Sequence, residues 1–134
     1  MEASVEYLGA KQFEIQARQH RIVSDQPAEN GGDDEGMTPP ELLLASLGSC
    51  AAYYAVDYLN RHQLEASGTK VKVTAEKVKA PFRLDQFRIK LDIPGDLNGD
   101  QLTGVEDAVH RCLIHNTLLH SPEIQIEILQ SAAS

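Results

Sequence analysis

Fifteen consecutive residues, Leu42 to Val56, carry no charge, and the four residues in front of them announce a helix. Thr38, Pro39, Pro40 and Glu41 fit an N-cap threonine, a proline at the first helical position and a glutamate at the third, the pattern of a capping box. The helix is expected to run from Pro39 to about His62, where Asp57, Asn60 and Arg61 restore polarity. A helix apolar on nearly all sides belongs in a core, so the rest of the chain must be arranged to cover it. Its middle is rich in small residues, Ala45, Ser46, Gly48, Ser49, Ala51 and Ala52. Gly48 costs roughly 1 kcal/mol against alanine in a helix interior, which a tight contact with another backbone would explain. The uncharged stretch is too short to span a bilayer, and apolar runs of roughly 10–14 residues more often mark buried helices. No membrane association is expected.

The flanks read as strands. Val5 and Tyr7 alternate in "SVEYLGA", Phe13, Ile15 and Ala17 share one face of "KQFEIQA", and "HRIVSDQ" follows a polar turn around Arg18 to His20. Residues 25–37, "DQPAENGGDDEGM", form an acidic loop that is expected to be solvated. After the central helix, "KVKVTAEKVKA" and "QFRIKLDI" alternate, with Phe87, Ile89, Leu91 and Ile93 opposite Arg88, Lys90 and Asp92. One dry face and one wet face describe an antiparallel pair covered on one side. A second helix is expected from about Asn98 to Pro122, with Leu102, Val105, Val109, Cys112 and Leu119 on its apolar face. Ile124, Ile126 and Ile128 alternate in a closing strand. The order βββ–α–ββ–α–β makes an α+β fold, and 134 residues suffice for one domain, 1–134, with one core.

Charge excludes some functions. A net charge of -8, with the twelve basic residues scattered, argues against nucleic-acid binding. The N-terminus lacks the charged and apolar regions of a signal peptide, so the cytoplasm is the expected location, where a structural disulfide is uncommon. His110, His115 and His120, with Cys112, are too weak a pattern for zinc, and no metal is expected. Asp96, Asn98 and Asp100 lack the Gly and Glu of a calcium loop, whose positions hold Gln101 and Asp107.

The chemistry-bearing residues are the two cysteines. Cys50 and Cys112 are the only ones, 62 residues apart, one on each helix and each beside polar residues: Ser49, and then His115 and Asn116. Free cysteine is among the most buried residue types, so both fit a core. They also fit a redox pair, in which a stabilised thiolate is oxidised to a sulfenic acid and a second thiol closes a disulfide. Pattern alone leaves both readings open.

The segments "GMTPPELLLASLGSC" and "VHRCLIHNTL" resemble the OsmC/Ohr family of thiol-dependent peroxidases, and the likeness extends over nearly the whole chain. It implies antiparallel sheets packed around two central Cys-bearing helices in an intertwined homodimer. It further implies reduction of organic hydroperoxides in oxidative-stress defence, with Cys50 as the peroxidatic thiol and Cys112 as the resolving one. No cofactor is implied beyond an external dithiol reductant. Arg18 matches the family's activating arginine, with Arg21 as the fallback. An apolar pocket is expected from Leu43, Leu47, Tyr53, Tyr54 and Leu119, with His115 and Asn116 nearby. The family's peroxidase branches place a glutamate where this chain has Pro40; Glu41 is one residue, or about 100° of helix, away. That departure keeps a second reading in view: a dimer of the same fold that senses redox state or binds an apolar small molecule without efficient peroxidase activity.

Overall fold

The central helix, α1, spans Pro39–Arg61 in a computed structural model that describes residues 1–130. Its start is the expected capping box. Thr38 N–H donates to Glu41 Oε1 at 2.9 Å, and Glu41 N–H donates to Thr38 Oγ1 at 3.3 Å. Leu47, Gly48, Ala51, Ala55 and Leu59 are its buried residues. Length and a mean hydropathy of 1.3 would let α1 cross a membrane; here it packs instead against β4 (Lys70–Val78), α2 (Gly99–Val109) and α3 (Leu113–Leu119).

Strand β4 pairs antiparallel with β5, Arg83–Asp92, placing Val71 opposite Leu91 and Val73 opposite Ile89. These four half-buried side chains face inward, while Lys70, Lys72, Arg88 and Lys90 stay exposed. Gly48 seats the helix on this hairpin, since a Cβ there would stand 3.0 Å from Val73 Cγ2. The tight contact expected from its glycine is therefore with a strand side chain. The core continues as Ala55, Leu59 and Val105, ringed by Tyr58, Leu91, Ile93 and Val109.

The first three strands, β1 (Ser4–Gly9), β2 (Gln12–Ala17) and β3 (His20–Ser24), form an antiparallel meander. Its register aligns Val5, Ile15 and Ile22 in one row and Tyr7 with Phe13 in the next. All five residues lie on one face. That face has no substantial packing against α1, and Val5 and Tyr7 are each 62% exposed. Within one chain, this face of the sheet is left uncovered by the helices.

Three further expectations change. The second helix is broken into α2 and α3, and Cys112 between them is extended (φ −57°, ψ 126°) and serves as the N-cap of α3. Leu102 and Leu119, assigned to the buried face of one continuous helix, are 53% and 64% exposed: Leu102 lies in the first turn of α2, and Leu119 ends α3 beyond the break. Residues 121–130 form no strand, and Ile124, Ile126 and Ile128 are exposed; this alternating segment pairs with no strand among the described residues. The acidic loop is organised rather than merely solvated. Asp25, 1% exposed, accepts hydrogen bonds from the N–H groups of Gln26, Asp33 and Glu35 and from Gln12 Nε2. Burial alone would raise its pKa, but these four donors outweigh it and hold the carboxyl below its ordinary value. Gly32 and Gly36 let the loop close, since a Cβ at either would overlap the carbonyl of Gln26 or Val23.

Candidate active site at the two thiols

Cys50 lies on α1, three residues after Leu47 and seven after Leu43, so the three share one stripe of the helix. The break after α2 brings Cys112 to this stripe. Both cysteines are free, Cys50 half-buried and Cys112 fully enclosed. The two side chains are neighbours, near enough for Cys50 to shift the titration of Cys112. Cys112 Sγ also accepts the His115 N–H at 3.5 Å, doing for α3 what a serine or aspartate oxygen does at an ordinary N-cap. Burial pushes the Cys112 thiol up, and its hydrogen bond to Cys50 pushes it the same way. The N–H groups of His115 and Ile114 pull it down but are outweighed. Cys112 therefore holds its proton more firmly than an ordinary thiol.

A cleft of about 840 Å3 runs between α1, α3 and β5; neither cysteine lines it, but Leu47 and His115, each three residues from a cysteine, do. Leu43, Leu47, His115 and Leu119 line it, joined by Leu118 and by Phe87 and Ile89 of β5. The strand residues were legible as an inward-facing row, but no pattern tied that row to this helix. Arg83 and Asp85 form the polar end, bound to each other at 3.1 Å. Tyr53, Tyr54 and Asn116 do not line the cleft. Tyr53 is rotated off the stripe and 67% exposed, while Tyr54 keeps to the stripe a turn beyond Cys50. Asn116 points outward, and its carbonyl accepts from the His120 ring.

The polar partners implied for Cys50 stand apart. Arg18 sits exposed at the tip of the β2–β3 turn with φ +55°, and Arg21 reaches Glu14 at 3.8 Å. Glu41 is engaged with Thr38, which holds its carboxyl below the ordinary value through backbone and then hydroxyl hydrogen bonds. Among the described residues, no cluster of His, Cys, Asp and Glu suits a metal ion.

The sequence profile of OsmC-like proteins matches residues 32–127, which include both cysteines. The chain belongs to the OsmC-like protein family. No curated protein matches it. Among solved structures, a protein of Psychrobacter arcticus 273-4 superposes with a TM-score of 0.78 at 22% identity, covering 86% of this chain and 85% of that one. An OsmC-like protein from Mycoplasma pneumoniae gives 0.77 at 18% identity over 90% and 87% of the two chains. An organic hydroperoxide resistance protein from Elizabethkingia anophelis gives 0.65 at 18% identity over 89% and 87%. At these identities the likeness establishes the OsmC-like α+β fold.

Proposed function

We propose that this OsmC-like protein is a thiol-dependent peroxidase for organic hydroperoxides, working as a homodimer in the cytoplasm. The observation that carries the reading is the thiol pair: two free, neighbouring cysteines, one half-exposed, each three residues from a wall of a largely apolar cleft. The Cys50 thiolate attacks the peroxide oxygen remote from the alkyl group. The O–O bond breaks, an alcohol leaves after taking a proton, and Cys50 becomes a sulfenic acid. Cys112 then attacks the Cys50 sulfur, forming the disulfide and releasing water. An external dithiol reduces it by exchange, so no bound cofactor is needed. The leucines and Phe87 of the cleft favour an alkyl peroxide over hydrogen peroxide. The exposed apolar face of the meander supports the dimer, in which the Arg18 turn of one subunit would supply the cation to the other's thiol.

The test is consumption of cumene hydroperoxide with a dithiol reductant. Wild type should turn over, Cys50→Ser should not, and Cys112→Ser should stop at a trapped sulfenate on Cys50. Turnover retained in Cys50→Ser would sink the reading.

A second reading has a specific observation behind it. Glu41 is committed to its cap and Arg18 lies on an exposed turn, so neither of these two orients charge at Cys50 within one chain. The cleft would then hold an apolar small molecule, with the thiols sensing redox state. A ligand that co-purifies with protein whose Cys50 ignores peroxide would favour this alternative.

A further inference from the structure

We propose that the β4–β5 hairpin is a docking surface for a bilayer of anionic phospholipid. Seven of the chain's twelve basic residues lie between Lys70 and Asp92, against three acidic ones, Glu76, Asp85 and Asp92, so the hairpin carries +4 in a chain of net charge -8. Lys72, Arg88 and Lys90 are exposed on its wet face. The register sets Lys72 directly opposite Lys90, and Arg88 opposite Thr74. Like charges paired across strands destabilise a sheet, and none of these three cations joins an ion pair among the described residues. With Thr74 and Gln86 they line a hollow of about 540 Å3, in which Glu76 is the single acid. Cations beside uncharged hydrogen-bonding groups suit phosphate esters. Folding alone gives no reason to gather these charges; a layer of phosphate head groups does.

The tip of the hairpin points to lipid as the source of the phosphate. The turn runs from Lys79 to Phe82, and Ala80, Pro81 and Phe82 are all exposed, Phe82 by 76%. Turns are usually built from Gly, Asn, Asp, Ser and Pro; here an aromatic ring stands in water between Lys79 and Arg83. A segment bound at a membrane surface buries apolar area at the acyl boundary while its cations meet the head groups. An acidic protein or a free phosphate would use the cations and leave Phe82 in water. Arg83 and Leu84, next in the chain, line the cleft between α1, α3 and β5, so that largely apolar cleft reaches the part of the molecule that would touch the bilayer. The net charge does not oppose this contact, because salt at 0.1 M screens charges beyond about 10 Å. The sequence expectation of no membrane association concerned a spanning helix, and a hairpin resting on the surface needs none.

Co-sedimentation with vesicles tests this. The protein should pellet with phosphatidylcholine vesicles containing about one quarter phosphatidylserine and stay in solution with phosphatidylcholine alone. Salt at about 1 M should release it. Lys72→Gln combined with Lys90→Gln should weaken partitioning on the order of 10-fold, with the urea midpoint unchanged or raised because a like-charge pair is gone. Phe82→Ser should weaken partitioning by about as much, with the solution mass unchanged. Cys50→Ser should bind as wild type does, so the result stands whatever becomes of the peroxidase reading. No pelleting with anionic vesicles overturns the proposal, and binding of polyglutamate under the same conditions would then assign the face to an acidic polypeptide. Undiminished binding in both hairpin variants overturns it as well. Release by millimolar glycerophosphoserine would mark a site for a soluble phosphate ester, and a Phe82→Ser protein of half the wild-type mass would mark the tip as a subunit contact; either result rejects the bilayer.

Discussion

Cys112 is the residue on which sequence and chemistry meet most closely. It is enclosed completely and caps α3 with its sulfur. A thiol held above its ordinary value favours the folded state only while it keeps its proton. As pH rises through about 8.5, the ordinary thiol value, the unfolded chain gives up a proton that the folded chain retains, so stability falls. Wild type should therefore lose unfolding free energy between pH 7 and pH 10, by roughly 1.4 kcal/mol for each unit that the folded value lies above the unfolded one. Cys112→Ala should lose less over the same interval, although it begins lower because of the cavity it leaves. Urea midpoints at the two pH values check this, and parallel losses in the two proteins would show that Cys112 is not the group responsible. Asp25 behaves oppositely: its carboxyl is held low, so its contribution is present above the ordinary carboxylate range and is lost as pH falls through it.

At the scale of elements, the seam between α1 and α2 is set by a glycine. A Cβ on Gly104 would overlap the ring of Tyr58, which lies across α2 and against His62, with ring centroids 4.2 Å apart. Gly104→Ala gains about 1 kcal/mol of helix propensity, but it must push Tyr58 out of the core rim, and overpacking costs about 1–3 kcal/mol. The variant should be neutral to about 2 kcal/mol less stable in urea unfolding, and Gly104→Ala combined with Tyr58→Ala should recover the propensity gain. Elements with local causes were legible in the sequence. Thr38 and Glu41 mark the start of α1 to the residue, and the strict alternation of Phe87, Ile89 and Leu91 gives both β5 and its inward face. The break at Cys112 was not legible, because no proline, glycine or ordinary cap residue marks it and a sulfur does the capping. Nor was the buried role of Asp25, whose four donors come from residues as far apart as Gln12 and Glu35. Of the site, the cysteines and the Leu43–Leu47 stripe could be read from residue type and spacing. The β5 wall depends on packing between elements distant in sequence.

At the scale of the whole molecule, the described residues leave a large apolar surface in water. Val5, Tyr7, Phe13, Ile15 and Ile22 line one face of the meander, and Ile124, Ile126 and Ile128 alternate along a segment without a sheet. Monomeric proteins rarely expose such a contiguous face, and an alternating segment left unpaired among the described residues suits the sheet edge of a second copy. The proposed homodimer meets both needs. Light scattering should give a particle near twice the 14.7 kDa chain. Phe13→Glu, on the apolar face, gives up about 1.5–3 kcal/mol of burial and places a charge at the interface. Its dimer dissociation constant should rise at least 10-fold to 100-fold. Glu6→Lys, on the opposite face of the same sheet, should leave the mass unchanged. A Phe13→Glu protein that stays dimeric would mean that the meander face meets something other than a second copy. If Arg18 reaches Cys50 only across this interface, dilution of the Phe13→Glu protein into the monomer should slow sulfenate formation on Cys50 as far as Arg18→Ala does in the dimer. Two variants on the same sheet would then fail for one reason, the loss of a cation that a single chain keeps away from its own thiol.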